Sequence, residues 1–111
     1  MFSFPRTEER FTPKLSEPVY ADVVGEGFYD RCKVRDISAN GISVFVRHDF
    51  QGVNLTNEVD LHITLPGRKS FKVIGQICHR GLGKDHYFGI RIISIDSNSR
   101  SLLDEYLRSL K

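Results

Sequence analysis

From Glu58 to Leu65 the sequence reads Glu-Val-Asp-Leu-His-Ile-Thr-Leu, so that Val59, Leu61, Ile63 and Leu65 alternate strictly with polar residues. A period of two sets the apolar side chains on one face of a strand and the polar ones on the other, a pattern no helix can bury. Such a strand needs neighbours on both edges and a core beneath one face. Pro66-Gly67 stops the run, and short β-rich segments flank it at residues 19–24, 28–37 and 42–46 on one side and 71–78 and 86–93 on the other. Gly25-Glu26-Gly27, Ser38-Ala39-Asn40-Gly41 and the stretch from Arg80 to Asp85 supply the turns between them. After Asp96, Ser97 and Asn98, any of which can cap a helix, Leu102, Leu103, Tyr106, Leu107 and Leu110 fall on one face at helical spacing. The spacing predicts a helix over about 97–110. Six short antiparallel strands with no helix between them predict an all-β barrel, closed or nearly closed, with the helix over an open end or edge.

At 111 residues the chain is expected to be one domain, with residues 1–18 as an extended arm and 19–111 as the barrel and helix. The arm holds Pro5, Pro13 and Pro18, lacks apolar periodicity, and is expected to be mobile until something binds it. Sixteen Lys and Arg against 14 Asp and Glu leave +2, far from the uniformly basic surface of a DNA- or RNA-binding protein. An anionic partner must therefore be met locally. Cys32 and Cys78 match neither a zinc spacing nor a disulfide framework, and no apolar run is long enough to span a bilayer, so a cytoplasmic protein without membrane insertion is expected.

Catalytic signatures are missing. Nothing resembles a nucleophile elbow, a phosphate-cradling loop or a metalloprotease helix, and His48, His62, His79 and His86 are scattered; no enzyme, metal or cofactor is expected. Two Arg-x-x-x-Arg pairs stand out, Arg6 with Arg10 in the arm and Arg31 with Arg35 in the second strand segment. Arg31, Lys33 and Arg35 alternate along that segment, and read most simply as a solvated strand face. The segment Asp36-Ile37-Ser38-Ala39-Asn40-Gly41 has the form Asp-x-Ser-x-x-Gly and by itself reads as a turn, with Asp36 bonding backbone ahead of it and Gly41 at positive φ.

Together, Arg6-Thr7-Glu8-Glu9-Arg10 followed by Asp36-Ile37-Ser38-Ala39-Asn40-Gly41 resembles the PilZ domain family, bacterial receptors for cyclic di-GMP. The likeness runs on through Gly41-Ile42-Ser43-Val44, Leu61-His62-Ile63-Thr64-Leu65-Pro66 and Tyr87-Phe88-Gly89-Ile90-Arg91-Ile92. It implies a six-stranded antiparallel PilZ-type barrel with a C-terminal helix. It also implies that Arg6 and Arg10 clamp cyclic di-GMP, that Asp36 and Ser38 reach it from the barrel, and that Gly41 lets the chain turn beneath it. His79 stands where the family often has Trp, a secondary ligand contact weaker than an indole. The chemistry suits the ligand, because an Arg fork matches the O6/N7 edge of guanine as well as a phosphodiester, and a carboxylate accepts from guanine N–H groups.

The expectation is thus a cyclic di-GMP receptor that signals to a protein partner by ligand-induced ordering of its arm. By resemblance the partner belongs to motility, pilus, adhesion or exopolysaccharide systems. The alternatives are a PilZ-fold adaptor that binds protein and no nucleotide, and a small barrel that binds single-stranded nucleic acid, which the near-neutral charge disfavours.

Overall fold

The alternating runs become six strands in chain order, β1 (Tyr20–Gly25), β2 (Phe28–Ile37), β3 (Gly41–Phe45), β4 (Glu58–Thr64), β5 (Phe71–Gly81) and β6 (Tyr87–Ser94), followed by one helix, α1 (Ser97–Ser109). The structure is a computed structural model and describes residues 9–46, 58–81 and 86–110. Every strand pairs antiparallel with two others, in the order β1-β2-β3-β6-β5-β4, and the β1–β4 pairing closes the barrel. The six expected strands and the helix are all present, with β5 running three residues further than the pattern predicts, to Gly81, because its ladder with β6 continues through Arg80 and Gly81.

Periodicity dictates what goes inside. In β4, Val59, Leu61 and Ile63 are buried while Glu58, Asp60 and His62 face solvent, as their alternation requires. They meet Val19, Ala21 and Val23 from the β1 side, Ile77 from β5, and Phe88 and Ile90 from β6 in one continuous core. Each fully buried Leu, Ile or Phe contributes about 1.5–3 kcal/mol through removal of apolar surface from water, so the barrel interior dominates stability. Between β1 and β2 the hairpin needs a left-handed residue, and Gly27 takes it at φ 81°. Among the described residues no helix is long and apolar enough to cross a membrane.

Helix α1 begins where the sequence offers a cap. The Asp96 carboxylate accepts from the Ser99 backbone N–H at 2.8 Å and from the Ser99 hydroxyl at 3.0 Å. Those hydrogen bonds, the backbone one first, hold the Asp96 carboxyl below its ordinary value. Leu103, Tyr106 and Leu107 are buried against the barrel, with Leu102 and Leu110 partly covered, which is the apolar stripe read from the spacing. One turn in from the cap, Arg100 donates to the Ala39 carbonyl, and its other amino group lies 3.4 Å from the Asn40 side-chain oxygen. Asn40 also accepts through its backbone carbonyl from Ile92 N–H at 2.9 Å, so the β2–β3 turn is anchored to both β6 and the helix.

Because the native carboxyl is held below its unfolded value, its stabilising effect is complete above the unfolded pKa and is lost as pH falls through the folded one. Asp96→Ala should therefore lower Tm at pH 7, and its deficit against wild type should shrink as pH drops below the ordinary Asp range. Thermal unfolding followed by circular dichroism from pH 7 to pH 2.5 checks it; a deficit independent of pH would remove the cap from the account.

Candidate functional site

Strand β2 does not alternate cleanly at its end. Val34 pairs with Val44 and Asp36 with Ser43, so Arg35 is the extra residue of a β-bulge. Val34 and Ile37 are buried, and the two residues between them both face outward, an in-out-out-in sequence that a regular strand cannot make. The bulge sets Arg35 and Asp36 side by side on the outer face. The Asp36 carboxylate accepts from Arg10 Nη1 at 2.9 Å through Oδ1 and faces Arg35 Nη1 at 3.4 Å through Oδ2.

Arg10 reaches that carboxylate because the next residue is stitched to the barrel. Phe11 N–H donates to the Ile37 carbonyl and Ile37 N–H to the Phe11 carbonyl, each at 2.9 Å, an isolated antiparallel bridge. The Phe11 ring is half-buried against the core. The arginine is 33% and the aspartate 17% exposed, so the ion pair contributes no more than about 1 kcal/mol. Two backbone hydrogen bonds and a packed aromatic outweigh it, and Phe11 rather than the ion pair fixes this part of the arm. The arm expected to be mobile is thus attached at Phe11.

The remaining motif residues sit under and beside this pair. Ser38 is fully buried, and both its N–H, at 2.9 Å, and its hydroxyl, at 3.2 Å, donate to the Gly41 carbonyl. Its hydroxyl closes the β2–β3 turn. Gly41 starts β3 as a buried residue opposite Arg91, and the left-handed glycines among the described residues are Gly27 and Gly67. The positive φ expected at Gly41 is therefore corrected: the serine's two hydrogen bonds make the tight turn, and strand backbone suffices for the glycine.

A second bulge faces the first across β3 and β6. Ile77 pairs with Ile90 and His79 with Gly89, leaving Cys78 as the extra residue of β5 and setting Cys78 and His79 outward together. The Cys78 thiol donates to the Gly89 carbonyl at 3.5 Å; burial raises its pKa, against the opposing charges of Arg10 and Arg91. His79 Nε2 lies 3.2 Å from the Tyr87 hydroxyl. The Tyr87 ring covers Gly81 so closely that a Cβ there would come within 1.9 Å of it, and the Arg35 guanidinium sits over the same ring, 4.2 Å from its centre.

Arg10 and Arg35 both face the Asp36 carboxylate, and Arg10 and Arg91 both lie near Cys78, so these three arginines share one face of the barrel. Arg10, Asp36, Ser38 and Gly41 come together, His79 lies on β5, beyond β3 and β6 from the motif, and Arg6 lies outside the described residues. Arg31, Lys33 and Arg35 are all exposed on the outer face, as their alternation states; Arg31 lies 3.4 Å from Asp22 and over the Tyr20 ring, and Arg35 stands beside Asp36. Arg35 and Tyr87 were missed in the sequence. The apolar-polar-polar-apolar order of Val34, Arg35, Asp36 and Ile37 is the signal that could have found the bulge and with it Arg35.

A family model described as "PilZ domain" matches residues 4–109. No curated protein matches the chain. Among solved structures it is similar to the PilZ domain of YcgR from Escherichia coli with c-di-GMP, at TM-score 0.79 and 14% identity over 95% of this chain and 90% of that one. It is also similar to the inhibitor of motility MotI from Bacillus subtilis, at TM-score 0.76 and 16% identity over 96% of this chain and 51% of that one. The K. pneumonia MrkH-c-di-GMP complex gives TM-score 0.81 and 11% identity over 97% of this chain and 53% of that one. The chain spans about half the length of the last two, and at these identities the likeness is one of fold.

Ser38→Ala should cost about 1 kcal/mol of stability, the net worth of one buried hydrogen bond; urea unfolding measures it, and an unchanged midpoint would remove the hydroxyl from the turn. The Phe11 amide should exchange slowly without any ligand, and Phe11→Ala should speed exchange at the Ile37 amide while leaving the amides of β4 unchanged. Fast exchange at Phe11 in the wild-type chain would contradict the bridge.

Proposed function

The chain belongs to the PilZ domain family, and on that premise we propose that it is a receptor for cyclic di-GMP, bound on the outer face where Arg10 and Asp36 meet. One observation carries the reading: the 2.9 Å ion pair between Arg10 and Asp36 brings the arm's arginine motif to the Asp-x-Ser-x-x-Gly motif across 26 residues of chain. Those two motifs are the ones the resemblance assigns to the ligand, and their side chains are of the right chemistry for it. Arg10, with Arg6 from the segment before it, supplies forks for guanine edges and phosphodiesters, and Asp36 accepts from guanine N–H groups. The buried Ser38 and the backbone of Gly41 give that carboxylate a rigid base. Arg91 adds positive charge to the same face and lowers the cost of bringing in two phosphates.

The mechanism we infer is an exchange of partners. Without ligand, Arg10 and Asp36 neutralise one another at a cost of no more than about 1 kcal/mol to separate. Ligand turns Arg10 outward, Arg6 closes from the other side, and the arm before Phe11 is drawn onto the barrel while Phe11 itself stays in place. The reshaped surface is the output, and a protein target in motility, pilus or exopolysaccharide systems reads it. MotI is described as an inhibitor of motility and MrkH as a c-di-GMP-dependent transcription regulatory factor, which supports regulatory output of this kind. A nucleotide-independent adaptor would have no use for an arginine and an aspartate held in register by a bulge and a bridge. The proposed role is binding, with no catalytic step and no metal.

Titration calorimetry should give binding of cyclic di-GMP that cyclic di-AMP and GTP do not match at equal concentration. Arg6→Ala or Arg10→Ala should weaken it at least about tenfold, roughly 1.4 kcal/mol, with Tm little changed. Equal heats for cyclic di-AMP would sink the guanine-specific reading, and retention of full affinity by both variants would move the site elsewhere.

A further inference from the structure

Arg35 is doubly seated. Its guanidinium carbon lies over the Tyr87 ring at 4.2 Å, and one of its amino groups lies 3.4 Å from the Asp36 carboxylate. Tyr87 is itself fixed, resting on Gly81, with no room for a Cβ between them, and touching His79 through its hydroxyl at 3.2 Å. Placed over the ring and beside a carboxylate, Arg35 still has 42% of its side chain exposed. A planar cation held against a ring and a carboxylate, and still this exposed, offers a surface on which an aromatic base can lie.

We propose that Arg35, carried on Tyr87, is a stacking platform for a purine base of the ligand. The proposal rests on the cyclic di-GMP reading and adds to it a subsite outside both sequence motifs. A base suits the position better than a phosphate. The Asp36 carboxylate beside Arg35 repels a phosphodiester placed there, whereas the edge of a guanine brings N–H donors to an acceptor. The arrangement also keeps Asp36 paired: when Arg10 turns to the ligand, Arg35 remains against the other carboxylate oxygen, so that no bare charge is left in a partly buried place. The two bulges make this possible, since that in β2 puts Arg35 next to Asp36 and that in β5 puts His79 in reach of Tyr87.

Calorimetric titration of the full chain with cyclic di-GMP over a range of salt concentrations tests the platform. Arg35→Lys keeps the charge and loses the plane, and should weaken binding at least about fivefold, the size of a surface cation–π or stacking contact, with the salt dependence unchanged. Tyr87→Phe keeps the ring and loses the contact with His79, and should weaken binding less than Arg35→Lys does. Tyr87→Leu should match Arg35→Lys, and Arg31→Ala, on the Asp22 side of the barrel, should bind as wild type does. Tm values near wild type for Arg35→Lys show that its loss is one of binding. If the wild-type chain binds and Arg35→Lys binds equally well, the platform is overturned and the receptor reading stands. A weaker salt dependence in Arg35→Lys would make Arg35 a phosphate ligand, which also overturns it. No binding by the wild-type chain overturns the receptor reading and the platform together.

Discussion

The end of β2 sets a demand that the rest of the site answers. Ile37 must satisfy a backbone N–H and a carbonyl on the edge where β1 no longer runs beside it; β1 pairs with β2 as far as Lys33, and Val19 accepts from Val34 at 2.8 Å. Phe11 supplies both missing partners. Residues 9–18 are therefore a continuation of the β2 ladder by other means, returned to β1 through a turn in which Glu17 N–H donates to the Lys14 carbonyl at 3.0 Å. An arginine one residue before Phe11 has little freedom to be anywhere except over the end of β2. The position of Arg10 is thus a consequence of backbone hydrogen bonding, with electrostatics as a lesser contributor.

The charge arrangement follows from where the ladder is interrupted. A regular β2 would send one of Arg35 and Asp36 into the core, where either would be costly without a partner. The bulge spares both and makes a compact ion cluster on the surface. Asp36 is only 17% exposed and Arg35 is also carried on the Tyr87 ring, so of the three charges Arg10, 33% exposed and held by Asp36, is the one with most room to move. Exchanging one exposed guanidinium contact for another involves little free energy, which suits the partner exchange proposed above.

Most of the architecture was readable from the amino-acid order, because the barrel is built from alternation and the helix from one apolar stripe, and both periods survive into the fold. Val59, Leu61 and Ile63 are inside and Leu103, Tyr106 and Leu107 are buried for the reasons their spacing states. The site was legible only in part. Asp36 and Arg10 could be named through a family resemblance, but nothing in the spacing says that a bridge at Phe11 joins them. Arg35 faces outward with Arg31 and Lys33 as alternation states, and its place beside Asp36 depends on the bulge, which turns Asp36 outward as well. Tyr87 gives no signal until Gly81 is seen lying beneath its ring, a contact between residues on two strands.

Arg100 ties the first turn of α1 to Ala39 and Asn40, at the bend on which the Asp-x-Ser-x-x-Gly motif is built, and Ile92 holds the same bend from β6. The helix and the face that carries Asp36 are accordingly joined through one bend. From that bend the helix runs to Leu110, which lies near Lys14, Pro66 and Arg68. One helix, buried along Leu103, Tyr106 and Leu107, thus gives the motif bend and the surface near Lys14 and Pro66 a shared support.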